Sequence, residues 1–237
     1  MVPIRDENES YAVPFVTYAL ILINIAVFVY ELSLSERGLE RFFATYAVVP
    51  TKLLPTLGAL FAGNLGSIDG LLPLLTAMFL HGGFLHIASN MLYLWIFGDN
   101  VEERMGHFGF LLFYLVCGVV ASLAQSFFNA GSSIPSLGAS GAIAGVLGAY
   151  IVKFPNAQVR AIFPIGFIPI PFRISAIWFL GFWFVQQALN SFASLSAPST
   201  VGMDQGGVAY LAHASGFLLG VLVALVLPNP NPYRKYR

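Results

Sequence analysis

The sequence predicts an all-α membrane protein: a bundle of six transmembrane helices with a short central fourth helix and a long, partly interfacial first loop. Two observations carry that reading. Of 237 residues, 57% are hydrophobic and only 9% charged, against about 25% charged in an ordinary soluble domain. The apolar residues also gather into six stretches near the ~20-residue length that a helix needs to cross a bilayer. These stretches are Val13 to Leu32, Leu74 to Phe97, Phe108 to Phe128, Gly138 to Phe154, Ile174 to Leu195 and Val208 to Leu227. The chain reads as one membrane domain over 1–237, with a short polar tail at about 1–12 and a short basic tail at about 228–237. Its partner at this level is the lipid bilayer.

Each element has its own signal. The N-terminus is polar and slightly acidic, and the first apolar run lacks a small-residue cleavage site, so a removable signal peptide is not expected. The loop from Ser33 to Pro73 carries apolar pairs (Phe42 and Phe43, Leu53 and Leu54, Leu60 and Phe61) punctuated by Gly and Pro. That pattern suits a segment lying in the membrane interface. The single cysteine, Cys117, sits inside the third span and reads as a packed core residue. Glu102, Glu103, Arg104 and His107 fall in the turn after span two, where a solvated connection explains them. With 11 basic and 11 acidic residues the formal charge is zero, so no nucleic-acid partner is indicated.

Basic residues set the orientation. With both termini inside, the inner segments hold Arg5, Arg104, Lys153, Arg160, Arg173, Arg234, Lys235 and Arg237, and the outer ones only Arg37, Arg41 and Lys52. The positive-inside rule favours that arrangement, and spans two, four and six then run parallel.

Span four is unusual. At 1.5 Å per residue its length is about 25 Å, short of the roughly 30 Å hydrocarbon core. Its start is therefore expected below the outer surface, beside a water-filled cavity, because non-helical backbone survives at that depth only when buried or hydrated. There stands Ser140, with Gly138 and Gly141 around it. Ser140, Gly141, Ala144, Gly145 and Gly148 share one helix face, and small residues let another backbone approach closely.

Three of the four histidines lie in or at the start of apolar spans, where ionisable groups are costly. His213 shares a face of span six with Ala209, Gly216 and Gly220, the natural mate for the small face of span four. A serine next to an imidazole is a nucleophile next to its general base. In span two, His86 and Asn90 lie four apart on one face. Together with the backbone N–H of Ser140 they form a candidate oxyanion hole. His81 precedes the Gly82-Gly83 break, in a turn that supports His86. Metal is not expected, since span two has no carboxylate and no Cys/His cluster has ligand spacing. No cofactor is indicated.

His81 and His86 with Asn90, then Gly138-Ala139-Ser140-Gly141, then Ala212-His213 with Gly216 and Gly220, resemble the signature of the rhomboid family of intramembrane serine proteases, in the family's order. The resemblance covers nearly the whole chain. It implies a six-helix core, Ser140 as nucleophile, His213 as base in a dyad without aspartate, and His86, Asn90 and the Ser140 N–H as the oxyanion hole. His81 takes the place of the family's supporting histidine. One departure is that the Trp-Arg pair often found in the family's first loop is absent.

An aspartate-free dyad makes physical sense, because a third ionised group in a membrane is costly and packing can orient the base instead. Span five, rich in Trp178, Phe179, Phe182, Trp183 and Phe184, borders the substrate's route by the same resemblance, and the loop from Ser196 to Gly207 reads as a flexible cap or a plain connector. The implied activity is cleavage of peptide bonds in or near the transmembrane segments of membrane-protein substrates. A catalytically silent relative that binds membrane clients, and a small transporter, are the rival readings. The minimal form points to a bacterial inner (plasma) membrane, with cytoplasmic termini and a site opening to the outer side.

Overall fold

The computed structural model describes residues 1–166, 168–196 and 210–228. The expected cap at 196–207 lies outside the described residues apart from Ser196, as does the basic tail beyond residue 228.

The chain opens with a strand, β1 (Val2–Asp6), and then enters α1 (Phe15–Ser33). The long first loop folds as two further helices, α2 (Glu36–Tyr46) and α3 (Pro50–Phe61), followed by a 3-10 turn over Leu65–Leu71. Ser35 caps α2 by accepting from the Gly38 N–H at 3.3 Å, and Pro50 opens α3 at the position where a missing N–H costs nothing. A short α4 (Pro73–Thr76) and a 3-10 turn at Ala77–Phe79 precede α5 (Phe84–Met105).

Span two is therefore not one rod from Leu74 to Phe97. The segment 65–79 meets α5 at 81°. The chain breaks at His81-Gly82-Gly83, where Leu80 is extended. The helix proper then runs on to Met105, eight residues past the expected end.

Next come α6 (His107–Phe128), α7 (Ser140–Lys153), a hairpin of β2 (Gln158–Ile165) and β3 (Ile168–Ser175), α8 (Ala176–Ser196) and α9 (Tyr210–Val226). Helices thus occupy all six apolar stretches. By length and composition α1 and α6 can cross a membrane alone, and α5 with the bent 65–79 segment makes a third. Helices α7 and α9 are apolar but shorter.

The fold is mostly helical, but the all-α expectation misses a three-stranded antiparallel sheet in the order β1-β2-β3. The polar tail and the connection between spans four and five pair with each other. Alternation explains the pairing: Val159 and Ala161 point into the core at 0% exposure, while Arg160 stands on the opposite face between its cross-strand partners Arg5 and Arg173. Glu7 meets two of these arginines, Arg160 Nε at 2.5 Å and Arg173 Nε at 3.4 Å. They hold its carboxyl below the usual range, with the Arg160 hydrogen bond the largest cause.

The turn after span two is likewise not a solvated connection. Glu102 is 1% exposed and accepts from the Val16 N–H at 2.9 Å and from the Thr17 N–H and Oγ1 at 2.7 Å each. It also meets His107 Nδ1 at 2.5 Å. The reason lies in α1, whose N-cap is Pro14 and offers no side-chain oxygen. A helix start leaves orphan N–H groups and favours negative charge, and Glu102 supplies both needs from across the bundle.

At the centre stands α7, buried without interruption from Gly141 to Tyr150. Its small face packs on α9. A Cβ on Gly216 would strike the Gly141 carbonyl, one on Gly220 the Gly145 carbonyl, and one on Gly148 the Phe217 carbonyl. The pairing of 141 with 216 and of 145 with 220 makes the two helices parallel. At the far end Lys153 Nζ donates to the Leu227 carbonyl at 2.8 Å. On the other side of α7, a Cβ on Gly145 would lie 2.5 Å from the buried Cys117 Sγ of α6.

Candidate active site

Ser140 is the first residue of α7, so its backbone N–H is one of those an α-helix leaves without an internal partner. The chain leading to it is pinned. Val48 and Ser136 exchange backbone hydrogen bonds at 3.0 and 2.7 Å, and the Gly138 N–H donates to the Ala77 carbonyl at 2.8 Å. Gly138 itself has φ +124°, a conformation side chains rarely adopt, and a Cβ there would come within 2.7 Å of His86 Nε2. Close approach and backbone shape both demand glycine at this point.

The opposite wall is the first turns of α9. The Ala212 N–H donates to Gln125 Oε1 of α6 at 3.3 Å, which holds the turn carrying His213. The parallel α7–α9 contact then sets the depth of His213 against Ser140. Ser140 Oγ and His213 Nε2 are 2.7 Å apart, within hydrogen-bond range. The other imidazole nitrogen, Nδ1, lies 2.9 Å from Gln187 Oε1 of α8. Trp183 of α8 flanks the ring, with centroids 5.9 Å apart.

The third wall is the start of α5. The Gly82 N–H points at His86 Nδ1 at 3.4 Å. A backbone N–H can only donate, so Nδ1 is the acceptor nitrogen, and in the neutral ring the proton then sits on Nε2, facing Gly138. Asn90, one turn further along α5, is 6% exposed, and its Nδ2 has no partner among the described residues. His81 packs edge-on behind His86 with centroids 5.0 Å apart. Its N–H is held by Glu31 at 3.2 and 3.3 Å, while both ring nitrogens are buried without a partner among the described residues. A cavity of about 20 Å³ beside Ser140, bordered by Ser136, Gly138 and Ala212, has room for about one water.

The structure thus gathers Ser140, His213, His86 and Gly138 around one point, with Asn90 a turn deeper and His81 behind. Gly141, Gly145, Gly216 and Gly220 lie in the α7–α9 seam. Of the aromatic residues in α8, Phe179, Trp183 and Phe184 pack inward, whereas Trp178 at 71% and Phe182 at 58% exposure face outward. Gln187 was not singled out by sequence reasoning, although the Gln186-Gln187 pair in the middle of an apolar span was a legible signal: an amide in hydrocarbon needs a partner. Among the described residues no three His, Cys, Asp or Glu side chains converge as metal ligands.

Comparison with known proteins decides the family. The family model described as Rhomboid domain matches residues 69–230. The chain belongs to the rhomboid family. It is 28% identical over 212 residues to "Rhomboid protein 1, mitochondrial" of Saccharomyces cerevisiae, covering 86% of this chain and 51% of that protein. Identity to "Rhomboid-like protein 11, chloroplastic" of Arabidopsis thaliana is 32% over 155 residues, 64% of this chain and 51% of the relative. To the human "Presenilin-associated rhomboid-like protein, mitochondrial" it is 31% over 153 residues, 63% of this chain and 36% of the relative. This rhomboid therefore spans about half the length, or less, of the curated relatives it matches. Their mitochondrial and chloroplastic names overturn the expectation of a bacterial plasma membrane with cytoplasmic termini, which rested on the chain's minimal form and its basic residues. Neither of those features is tied to a bacterial membrane.

Proposed function

We propose that this rhomboid is a serine endopeptidase that cuts peptide bonds in or near the transmembrane segments of other membrane proteins, from a single membrane domain of six spans. The observation that carries the reading is the 2.7 Å contact between Ser140 Oγ and His213 Nε2. His213 Nε2 takes the proton as Ser140 Oγ attacks the scissile carbonyl, and the imidazolium then protonates the leaving amine. The acyl-enzyme on Ser140 is hydrolysed by water activated at the same nitrogen.

Charge developing on the carbonyl oxygen needs donors already aimed at it. Three candidates come from two elements: the orphan Ser140 N–H of α7, and from α5 the His86 Nε2–H beside Gly138 and the Asn90 amide, whose Nδ2 has no partner among the described residues. His81 backs the His86 ring. A substrate helix must unwind locally to reach this recess, so helix-breaking and small residues are expected near the cut. The outward aromatic face of α8 is the side from which it would arrive. The names of the relatives point to an organellar membrane as the setting.

The test is a reporter transmembrane substrate reconstituted with the protein in liposomes. Cleavage by wild type that is lost in Ser140→Ala and in His213→Ala is expected. Cleavage that persists in Ser140→Ala sinks the nucleophile, and a well-folded wild type that neither cuts nor labels with a fluorophosphonate favours the silent, client-binding reading.

A further inference from the structure

We infer that Gln187 is a positioning residue that orients His213 in a Ser140–His213–Gln187 hydrogen-bonded chain; this rests on the protease reading above. The sequence pattern of serine and histidine leaves the imidazole's tautomer open, yet the chemistry requires one tautomer only. Nε2 must be bare to accept from Ser140, so Nδ1 must carry the proton and needs an acceptor. Gln187 Oε1 stands 2.9 Å from Nδ1. A carbonyl oxygen accepts and never donates, so this contact places the ring proton on Nδ1 and frees Nε2 toward Ser140 Oγ at 2.7 Å.

Gln187 is 8% exposed in the interior of α8, and Ser191 Oγ donates to its backbone carbonyl at 2.8 Å, one turn on. Trp183, one turn earlier on the same helix face, lies against the His213 ring. The imidazole is thus held on its edge by Gln187 and on its face by Trp183, both from α8. A neutral amide does what an aspartate does in a water-exposed triad, without the cost of a third charge in hydrocarbon. When His213 takes the serine proton, the developing imidazolium strengthens the Nδ1–H bond to Gln187, so the amide also stabilises the transition state.

The experiment compares Gln187→Met and Gln187→Glu in the full chain, in the liposome reporter assay. Methionine keeps the length and removes the acceptor. Its kcat is expected to fall roughly 10- to 100-fold with KM within about twofold, since the ring loses its tautomer rather than the substrate its binding site. The rate of fluorophosphonate labelling at Ser140 should fall in parallel. Glutamate keeps a carboxyl oxygen that can accept from Nδ1 whether the group is charged or protonated, so its kcat is expected to recover to within about threefold of wild type. A residue that only packed would show no such rescue. Wild-type turnover in Gln187→Met, or a folded Gln187→Glu as slow as Gln187→Met, overturns the assignment. If Gln187→Met does not fold, an inactive but folded Gln187→Glu overturns it alone. Ser140→Ala separates the two levels: cleavage there defeats the protease reading itself, whereas a silent Ser140→Ala with a fully active Gln187→Met defeats only the role of Gln187.

Discussion

Gly220→Ala tests whether the α7–α9 seam sets the distance between Ser140 and His213. An added Cβ at Gly220 would overlap the carbonyl oxygen and backbone of Gly145. No side chain can rotate away to relieve that overlap, so the helices themselves must part, by about 1.5 Å before the contact becomes an ordinary one. Alanine gains about 1 kcal/mol in helix propensity. Overpacking costs about 1–3 kcal/mol, and the upper end applies where backbone blocks backbone, which leaves a net loss of about 1–2 kcal/mol. Function should suffer more than stability. Gly220 lies two turns beyond His213 on the same helix, and a displacement of even about 1 Å takes the 2.7 Å bond from Ser140 Oγ to His213 Nε2 out of hydrogen-bond range. A misplacement of that size costs roughly 100-fold in rate. The assay is the rate of fluorophosphonate labelling in detergent beside the melting temperature of the same sample. Gly181→Ala in α8, where an added Cβ meets nothing within 4 Å, is the control and should label like wild type. Labelling of Gly220→Ala at the wild-type rate would refute the idea that close helix packing positions the dyad.

Two further outcomes follow from carboxylates away from the site, Glu102 buried and Asp6 half-buried. Glu102→Gln removes the charge that holds Val16 and Thr17 at the start of α1. It should destabilise the protein by about 1–3 kcal/mol, with faster amide exchange at those two residues before global unfolding; unchanged protection there would count against the capping role. Asp6, which accepts from the Tyr150 hydroxyl at 2.5 Å, is pushed up by burial from its ordinary 3.8 to about 6. A carboxyl whose folded value is raised contributes stability fully below about pH 4 and loses it as pH rises through about 6. Asp6→Asn should flatten that part of the melting-temperature profile, and an identical slope in wild type and variant would contradict the assignment.

Much of the architecture was legible because hydrocarbon imposes simple rules. Long apolar runs mark α1 and α6, and the spacing of Gly141, Gly145 and Gly148 on one segment and of Gly216 and Gly220 on another reads as two small faces. The break before α5 was visible in Gly82-Gly83. The sheet was harder to see, since β1 lies about 150 residues from its partner β2 and neither segment is long. Glu102 misled for a related reason: a charged turn looks solvated until the helix start that needs it is brought alongside.

Sequence by itself therefore determined the class of solvent, the approximate helices, the family resemblance and the candidate pair Ser140 and His213, because periodicity and composition act locally. Tertiary structure alone decided the 2.7 Å separation of that pair, the placing of His213 Nδ1 against Gln187, and the aim of His86 at Gly138. Those depend on the register between helices far apart in the chain. That register follows from backbone contacts at Gly141, Gly145, Gly216 and Gly220, which no single segment contains.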